Sequence, residues 1–238
     1  MTGSDLIAVW ERGEGQRAAG RGLALLAAAE PSLDWERRAS LPVGRRDASL
    51  LALRERLFGT HFAGVTSCPS CSESIELTFD AIDVRREAGE GAPLKVRLHG
   101  FDVELRLPDS RDLLAIERAR DLASARELLL TRCVVSATRD AAAVDTGALP
   151  DEVLALVPDL LGAADPQAVV EIELSCPGCE HSWLEPFDIV SFLWTEVAAH
   201  VRRLLGEVHA LASAYGWSEK AILRLSPARR RTYLEMLR

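Results

Sequence analysis

Thr66-Ser67-Cys68-Pro69-Ser70-Cys71 is followed, eight residues after its second cysteine, by Phe79-Asp80. Ser175-Cys176-Pro177-Gly178-Cys179 is followed at the same distance by Phe187-Asp188. Both copies read Cys-Pro-x-Cys, seven residues, Phe-Asp, and they contain four of the five cysteines of the chain. A Cys-x-x-Cys turn presents two thiolates from one tight bend, and two such turns complete the tetrahedron that a structural zinc ion requires. The expectation is one Zn2+ held by Cys68, Cys71, Cys176 and Cys179, pinning distant parts of the chain together. The 104 residues between Cys71 and Cys176 exceed the spacing of compact zinc ribbons. The repeated Phe-Asp offsets that objection, because both turns then feed similar strands, as the halves of a ribbon would.

Other readings of the cysteines stand beside this one. A single Cys-Pro-x-Cys is compatible with a thioredoxin-type redox pair, and disulfides or a metal cluster are also open. A catalytic zinc is disfavoured because four thiolates leave no open coordination position. His181 is read as an exposed loop residue rather than a substitute ligand. Phe79 and Phe187 are read as core residues beneath the ribbon, with Asp80 and Asp188 as turn or cap residues. Cys133, in an apolar run with Val134 and Val135, is read as a buried free thiol.

The chain has 238 residues, 48% of them hydrophobic, which suits a folded protein of one extended or two small domains. Its net charge of -8 argues against a surface that grips nucleic acid as a whole. The N-terminal stretch lacks the basic start and cleavage site of a signal peptide, and no run approaches ~20 apolar residues. These features point to a cytoplasmic protein without a membrane segment, where paired cysteines suit metal better than disulfide.

Along the chain, residues 5–58 carry helical pattern, broken at Glu30-Pro31, with a third helix expected to be capped by Asp47. Arg45, Arg46, Arg54, Glu55 and Arg56 are expected on its solvated face. Alternation at Ile75, Leu77 and Phe79 predicts a strand after the first cysteine turn, and a two-residue turn at His99-Gly100 predicts a hairpin spanning 95–107. Residues 109–165 are expected to be helical, starting from Asp109 or Ser110, with Arg139 to Leu149 a loop. A strand at 169–174 leads into the second cysteine turn.

The last third is the most regular. Trp194, Val197, Val201, Leu204, Val208, Leu211 and Tyr215 recur with heptad spacing on a long helix expected to be capped by Ser191. Ser218 caps a short helix with Trp217 and Ile222 as a hydrophobic staple, and Ser226-Pro227 opens a last one. Core packing and a partner-binding seam both account for the stripe. Arg229, Arg230 and Arg231 make the terminus locally basic, which leaves a nucleic-acid face as an alternative function, although no aromatics interleave with them. No phosphate loop, nucleophile motif or carboxylate pair with an adjacent base occurs, so nothing marks the chain as an enzyme.

The segment Glu207 to Leu237, with Tyr215-Gly216-Trp217, Leu225-Ser226-Pro227 and Arg229-Arg230-Arg231-Thr232-Tyr233, resembles a module encoded in tail and baseplate gene clusters of phages and contractile injection systems. Leu57-Phe58-Gly59, the two cysteine turns, Arg106-Leu107-Pro108-Asp109 and Phe187 to Trp194 look like bacterial relatives of the T-even phage baseplate hub assembly protein family. The resemblance spans roughly residues 50–238. It implies a non-enzymatic assembly factor or minor component of a contractile baseplate, whose partners are tail, baseplate or hub subunits rather than a small-molecule substrate, a membrane or nucleic acid.

The sequence thus predicts an α+β protein: a small antiparallel zinc-ribbon-like sheet surrounded by helices, with a helical C-terminal arm. Residues 1–60 form an N-terminal helical region, 61–190 the ribbon-like core with a helical insertion at about 109–165, and 191–238 the arm. Partner contacts are expected at Trp194, Val201, Val208, Tyr215, Trp217, Arg229, Arg230 and Tyr233.

Overall fold

Four helices open the chain in a computed structural model that describes residues 1–237. Thr2 and Asp5 cap each other reciprocally at the start of α1 (Gly3–Gly13). α2 (Ala18–Ala29) stops ahead of Pro31, and α3 (Trp35–Ala39) is capped by Asp34. α4 (Val43–Phe58) follows Pro42 directly, so the cap expected at Asp47 is wrong by more than a full turn. Pro42 offers no side-chain acceptor, and the first helical N–H groups find theirs far along the chain. Val43 N–H donates to the Pro108 carbonyl at 3.0 Å and Gly44 N–H to Asp165 at 2.8 Å. The expected solvated face of α4 is also wrong at two positions. Arg46 is 4% exposed and ion-pairs with Asp47, while Arg54 is 3% exposed and donates to both carboxylate oxygens of Glu196.

β1 (His61–Ser67) pairs antiparallel with β2 (Ser74–Asp80), from His61 opposite Asp80 to Ser67 opposite Ser74, and α5 (Ala81–Val84) follows. β3 (Leu94–Leu98) and β4 (Phe101–Leu105) form the predicted hairpin, with His99 and Gly100 at φ 47° and 83°. Both central residues in the left-handed region make this the turn whose twist matches a two-residue hairpin. α6 (Ser110–Ile116), capped by Asp109, and α7 (Leu122–Cys133) are helical as expected. The expectation of helix leading into a loop at Arg139 to Leu149 is not met, because strands form on both sides of a turn at Asp140-Ala141. β5 (Val134–Arg139) and β6 (Ala142–Val144) extend the sheet in the order β3-β4-β5-β6 before α8 (Asp151–Leu154) and α9 (Val157–Ala164). Phe101, Val103, Leu105, Leu130, Val153 and Val157 form the core between this sheet and its helices.

β7 (Glu171–Ser175) pairs with β8 (Ser182–Pro186), and α10 (Ile189–Tyr215) begins at an Asp188 cap rather than at Ser191. The strands therefore lie in three separate antiparallel sheets, two hairpins and a four-stranded one, rather than in a single small sheet. α10 packs on α1, α2 and α4. Its heptad stripe faces inward: Trp194, Val197, Val201 and Leu204 join Leu25, Leu26, Leu50 and Phe62 in the main core. α11 (Glu219–Leu223) and α12 (Pro227–Glu235) carry the predicted Ser218 and Ser226 caps, and fold back so that Ile222, Trp217 and Tyr233 cover Val208 and Leu211.

The 94–164 excursion leaves and re-enters the body at one joint. Gln167 bonds the outgoing segment three times: it accepts from Arg86 N–H at 2.7 Å and donates to the carbonyls of Glu87 and Val84. Asp165, 1% exposed, accepts from Gly44 N–H and from Gly89 N–H at 2.7 Å, and so supplies the cap that Pro42 cannot. Within the excursion, Asp112 is fully buried and accepts from both terminal nitrogens of Arg106, at 2.6 and 2.7 Å, and from Arg132 at 2.7 Å. Burial alone would raise the Asp112 pKa. Hydrogen bonds from Arg106, the Asp109 backbone and Arg132 outweigh it and hold the carboxyl below its ordinary range.

Two outcomes are expected. A Cβ at Gly44 overlaps the Asp165 carboxylate. Alanine normally gains up to ~1 kcal/mol over glycine in a helix, but overpacking costs ~1–3 kcal/mol and displaced bonds to a buried charge a further ~1.5–3. Gly44→Ala is therefore expected to lose roughly 2–4 kcal/mol in denaturant unfolding. Asp112→Asn leaves two arginines facing a neutral group and is expected to cost about 3–5 kcal/mol at pH 7. Because the folded pKa is depressed, the wild-type advantage exists above the unfolded carboxylate pKa and fades as pH falls through the folded one. The gap between the two proteins should narrow below about pH 4.

Candidate metal centre

Each Cys-Pro-x-Cys turn is the tip of a hairpin, and the two tips share one backbone path. Cys68 N–H donates to the Glu73 carbonyl at 2.8 Å and Ser72 N–H to the Cys68 carbonyl at 2.9 Å. In the second copy, Cys176 N–H donates to the His181 carbonyl and Glu180 N–H to the Cys176 carbonyl, both at 2.9 Å. The residue after the second cysteine is left-handed in each, Ser72 at φ 62° and Glu180 at φ 59°. The first cysteine of each turn is buried and the second exposed. The tips meet so that first faces second: Cys68 Sγ lies 3.7 Å from Cys179 Sγ, and Cys71 Sγ lies 3.6 Å from Cys176 Sγ.

All four sulfurs lie within 4.8 Å of one another. A tetrahedral ion with metal–sulfur bonds of about 2.3 Å has sulfur–sulfur edges of about 3.8 Å, so the cluster has the dimensions of a four-thiolate site. Burial opposes ionisation of Cys68, but N–H groups of Cys71 and Ser70 and the thiols of Cys179 and Cys71 prevail and lower it to about 7. Cys71 is favoured by the Glu73 backbone, yet its interactions with Cys179 and Cys176 push it up to about 12. The Cys68 thiolate is thus favoured and the Cys71 thiolate opposed. The exposed His181 stacks on Trp183 and is not one of the cluster. Cys133 is fully buried and alone, its thiol pushed up to about 12 by burial and then by Asp112.

The repeated Phe-Asp has its own geometry. Phe79 and Phe187 meet edge to face at 5.5 Å, Phe62 stacks on Phe79 at 4.9 Å, and Phe192 closes the group at 5.0 Å from Phe62. The Arg54 guanidinium lies 3.8 Å from the centre of the Phe62 ring. Asp80 caps α5 and Asp188 caps α10. No ladder hydrogen bonds join the two hairpins, so cysteines at the tip and phenylalanines at the base hold them together. Sequence reading missed Phe62 and Arg54. Phe62 precedes Cys68 by six residues and the buried Val170 precedes Cys176 by six, so extending the repeat upstream would have found Phe62. Arg54 gives no local signal, since its partner Glu196 lies 142 residues away.

The remaining singled-out residues separate into inside and outside. Trp194, Val201 and Val208, expected at a partner seam, are 6%, 0% and 8% exposed and are covered by the chain itself. The stripe is longer than the α1–α4 core needs because its last turns are buried by α11 and α12. Tyr215, Trp217 and Tyr233 form one aromatic group with ring separations of 4.8 to 5.9 Å, on which Tyr215 remains exposed. Arg229 is exposed, but Arg230 turns inward to Glu207 at 2.8 Å and the Leu225 carbonyl, so the arginine triplet is not a continuous basic strip.

No helix among the described residues is long and apolar enough to cross a membrane. Comparison with curated proteins and with solved structures gives no match. A family model described as T4 bacteriophage base plate protein matches residues 30–194. The match reaches further toward the N-terminus than the resemblance read from residues 50–238, and it ends before the C-terminal module, to which it adds nothing. It takes in α3, α4, both cysteine hairpins, the whole excursion and the start of α10. On a match over more than half of its length, the chain belongs to the T4 bacteriophage base plate protein family.

Proposed function

We propose that the protein is a non-enzymatic assembly factor or minor structural component of a contractile, phage-tail-like baseplate, where it binds other baseplate, tail or hub subunits. The family match over residues 30–194 is the observation that carries this reading. In this account a structural Zn2+ on Cys68, Cys71, Cys176 and Cys179 clasps the hairpins together, and four thiolates leave it no position for catalysis. The protein acts in the cytoplasm, free or incorporated in the particle. Partner contacts fall on the exposed side of the C-terminal arm, around Tyr215 and Arg229, rather than on the buried stripe.

The charge distribution weighs against the nucleic-acid alternative. Residues 61–80 and 171–188 carry eight acidic residues and no lysine or arginine, and four thiolates on a divalent ion add to that negative field. A ribbon of this charge repels a phosphate backbone.

Affinity purification from the native host, followed by mass spectrometry, should recover baseplate or tail subunits. Recovery with intact particles marks a resident component, and recovery with free subunits alone marks an assembly factor. Recovery of neither defeats the proposal. Metal analysis of the reduced protein should find one zinc per chain. A clip that closes a loop of about 100 residues is worth roughly 4–5 kcal/mol. At ~2–4 °C per kcal/mol, a strong chelator or the pair Cys71→Ser and Cys179→Ser should lower the melting temperature by roughly 10–20 °C. A metal-free protein with unchanged melting in chelator would rule out the clasp.

A further inference from the structure

Apart from the cysteine centre, the described residues form a cleft where arginine side chains surround an apolar floor. It lies where α1 and α4 meet α10 and the α11–α12 return, and has a volume of about 750 Å3. Leu57, Leu204, Leu223, Leu225 and Leu234 line it. Arg56 on α4, Arg203 on α10 and Arg231 on α12 stand among them, and all three are exposed. None makes an ion pair among the described residues. Arg230 in the same wall is balanced by Glu207 at 2.8 Å. His200 adds no charge at neutral pH: burial, and then Arg203, hold its pKa below the ordinary histidine value. The cleft is thus a cationic patch on a chain of net charge -8.

We propose that this cleft binds an acidic peptide segment of a partner subunit, with apolar side chains seated on the leucines and carboxylates paired to Arg56, Arg203 and Arg231. Charge complementarity selects an anionic occupant, and the floor selects among anions. A free phosphate gains nothing from five leucines, and a nucleic acid finds no aromatic platform in the cleft while the acidic body repels it. A peptide with carboxylates flanking leucine-sized residues satisfies both features, and arginine suits the carboxylate because its fork can donate two parallel hydrogen bonds. Three arginines from three separate helices also make the site depend on the fold of the arm, not on a local run of basic sequence. The inference rests on the subunit-binding reading above and deepens it by naming the chemistry of the bound segment.

A photo-crosslinking residue placed at Leu225 of the full chain in the native host should capture a peptide rich in Asp and Glu with interspersed large apolar residues. The synthetic captured peptide should bind the purified chain in fluorescence anisotropy. Arg56→Glu or Arg203→Glu should weaken it at least about tenfold, since like charges then face each other. A peptide with its carboxylates replaced by arginine should regain affinity for the reversed variant. Arg56 is exposed and makes no ion pair, so thermal melting of Arg56→Glu should match wild type, while Arg203→Glu also gives up the 3.0 Å contact of Arg203 with the His200 ring and is compared at a temperature well below its own melting. Capture of nucleic acid or of a basic segment, or a peptide affinity indifferent to the reversals, overturns the proposal. If the chain co-purifies with subunits but Leu225 captures nothing, the cleft assignment fails and the subunit-binding reading survives. Failure of both capture and co-purification removes both.

Discussion

Neither hairpin that carries a Cys-Pro-x-Cys turn can hold its shape alone. A two-stranded ribbon buries too little surface to be stable in water, and the strands of one hairpin make no ladder with those of the other. What joins them is side-chain chemistry at the two ends. At the tip, four sulfurs from two distant stretches lie within 4.8 Å. At the base, Phe62, Phe79, Phe187 and Phe192 pack as one group, capped by Arg54, which is itself held by Glu196 of α10. The rest of the body is positioned by this junction: an aspartate at or just after the end of each hairpin caps the next helix, and the second of those helices is α10.

The sheet unit between the hairpins is compatible with the clasp because its two connections run side by side. Gln167 and Asp165 tie the returning segment to the outgoing one, and Asp165 reaches on to the start of α4. The excursion, with its own core and the Asp112 arginine node, folds back to its point of departure. The proposed zinc clasp would then close a loop whose ends this joint already brings together. α11 and α12 cover the far end of α10 and turn a stripe that looks like a docking seam into a small second core. What they leave outside is Tyr215, Arg229 and the arginine-rimmed cleft.

The parts legible in the sequence were those written in local or repeated chemistry. The duplicated Cys-Pro-x-Cys and Phe-Asp located the cysteine cluster, the paired phenylalanines and both capping aspartates. The His99-Gly100 turn and the Asp109, Ser218 and Ser226 caps were read correctly because each uses a residue type suited to its backbone. The β5–β6 hairpin escaped because its turn residues, Asp140 and Ala141, adopt φ 50° and 64° without a glycine to announce it. β8 ends in Pro186, which reads as a strand breaker. Arg46 and Arg54 were placed in solvent because arginine is seldom buried unpaired, and their partnering is a property of the tertiary fold. The heptad stripe was periodic for a sound reason, but periodicity does not say whether an apolar face is covered by the same chain.

We propose that two hairpins separated by a hundred-residue excursion share one metal ion. X-ray absorption at the zinc edge of the purified, reduced protein tests it directly. Four sulfur scatterers at about 2.3 Å, with no nitrogen or oxygen bound to the metal, are expected. Two sulfurs completed by lighter donors, or a protein without bound metal, would contradict it.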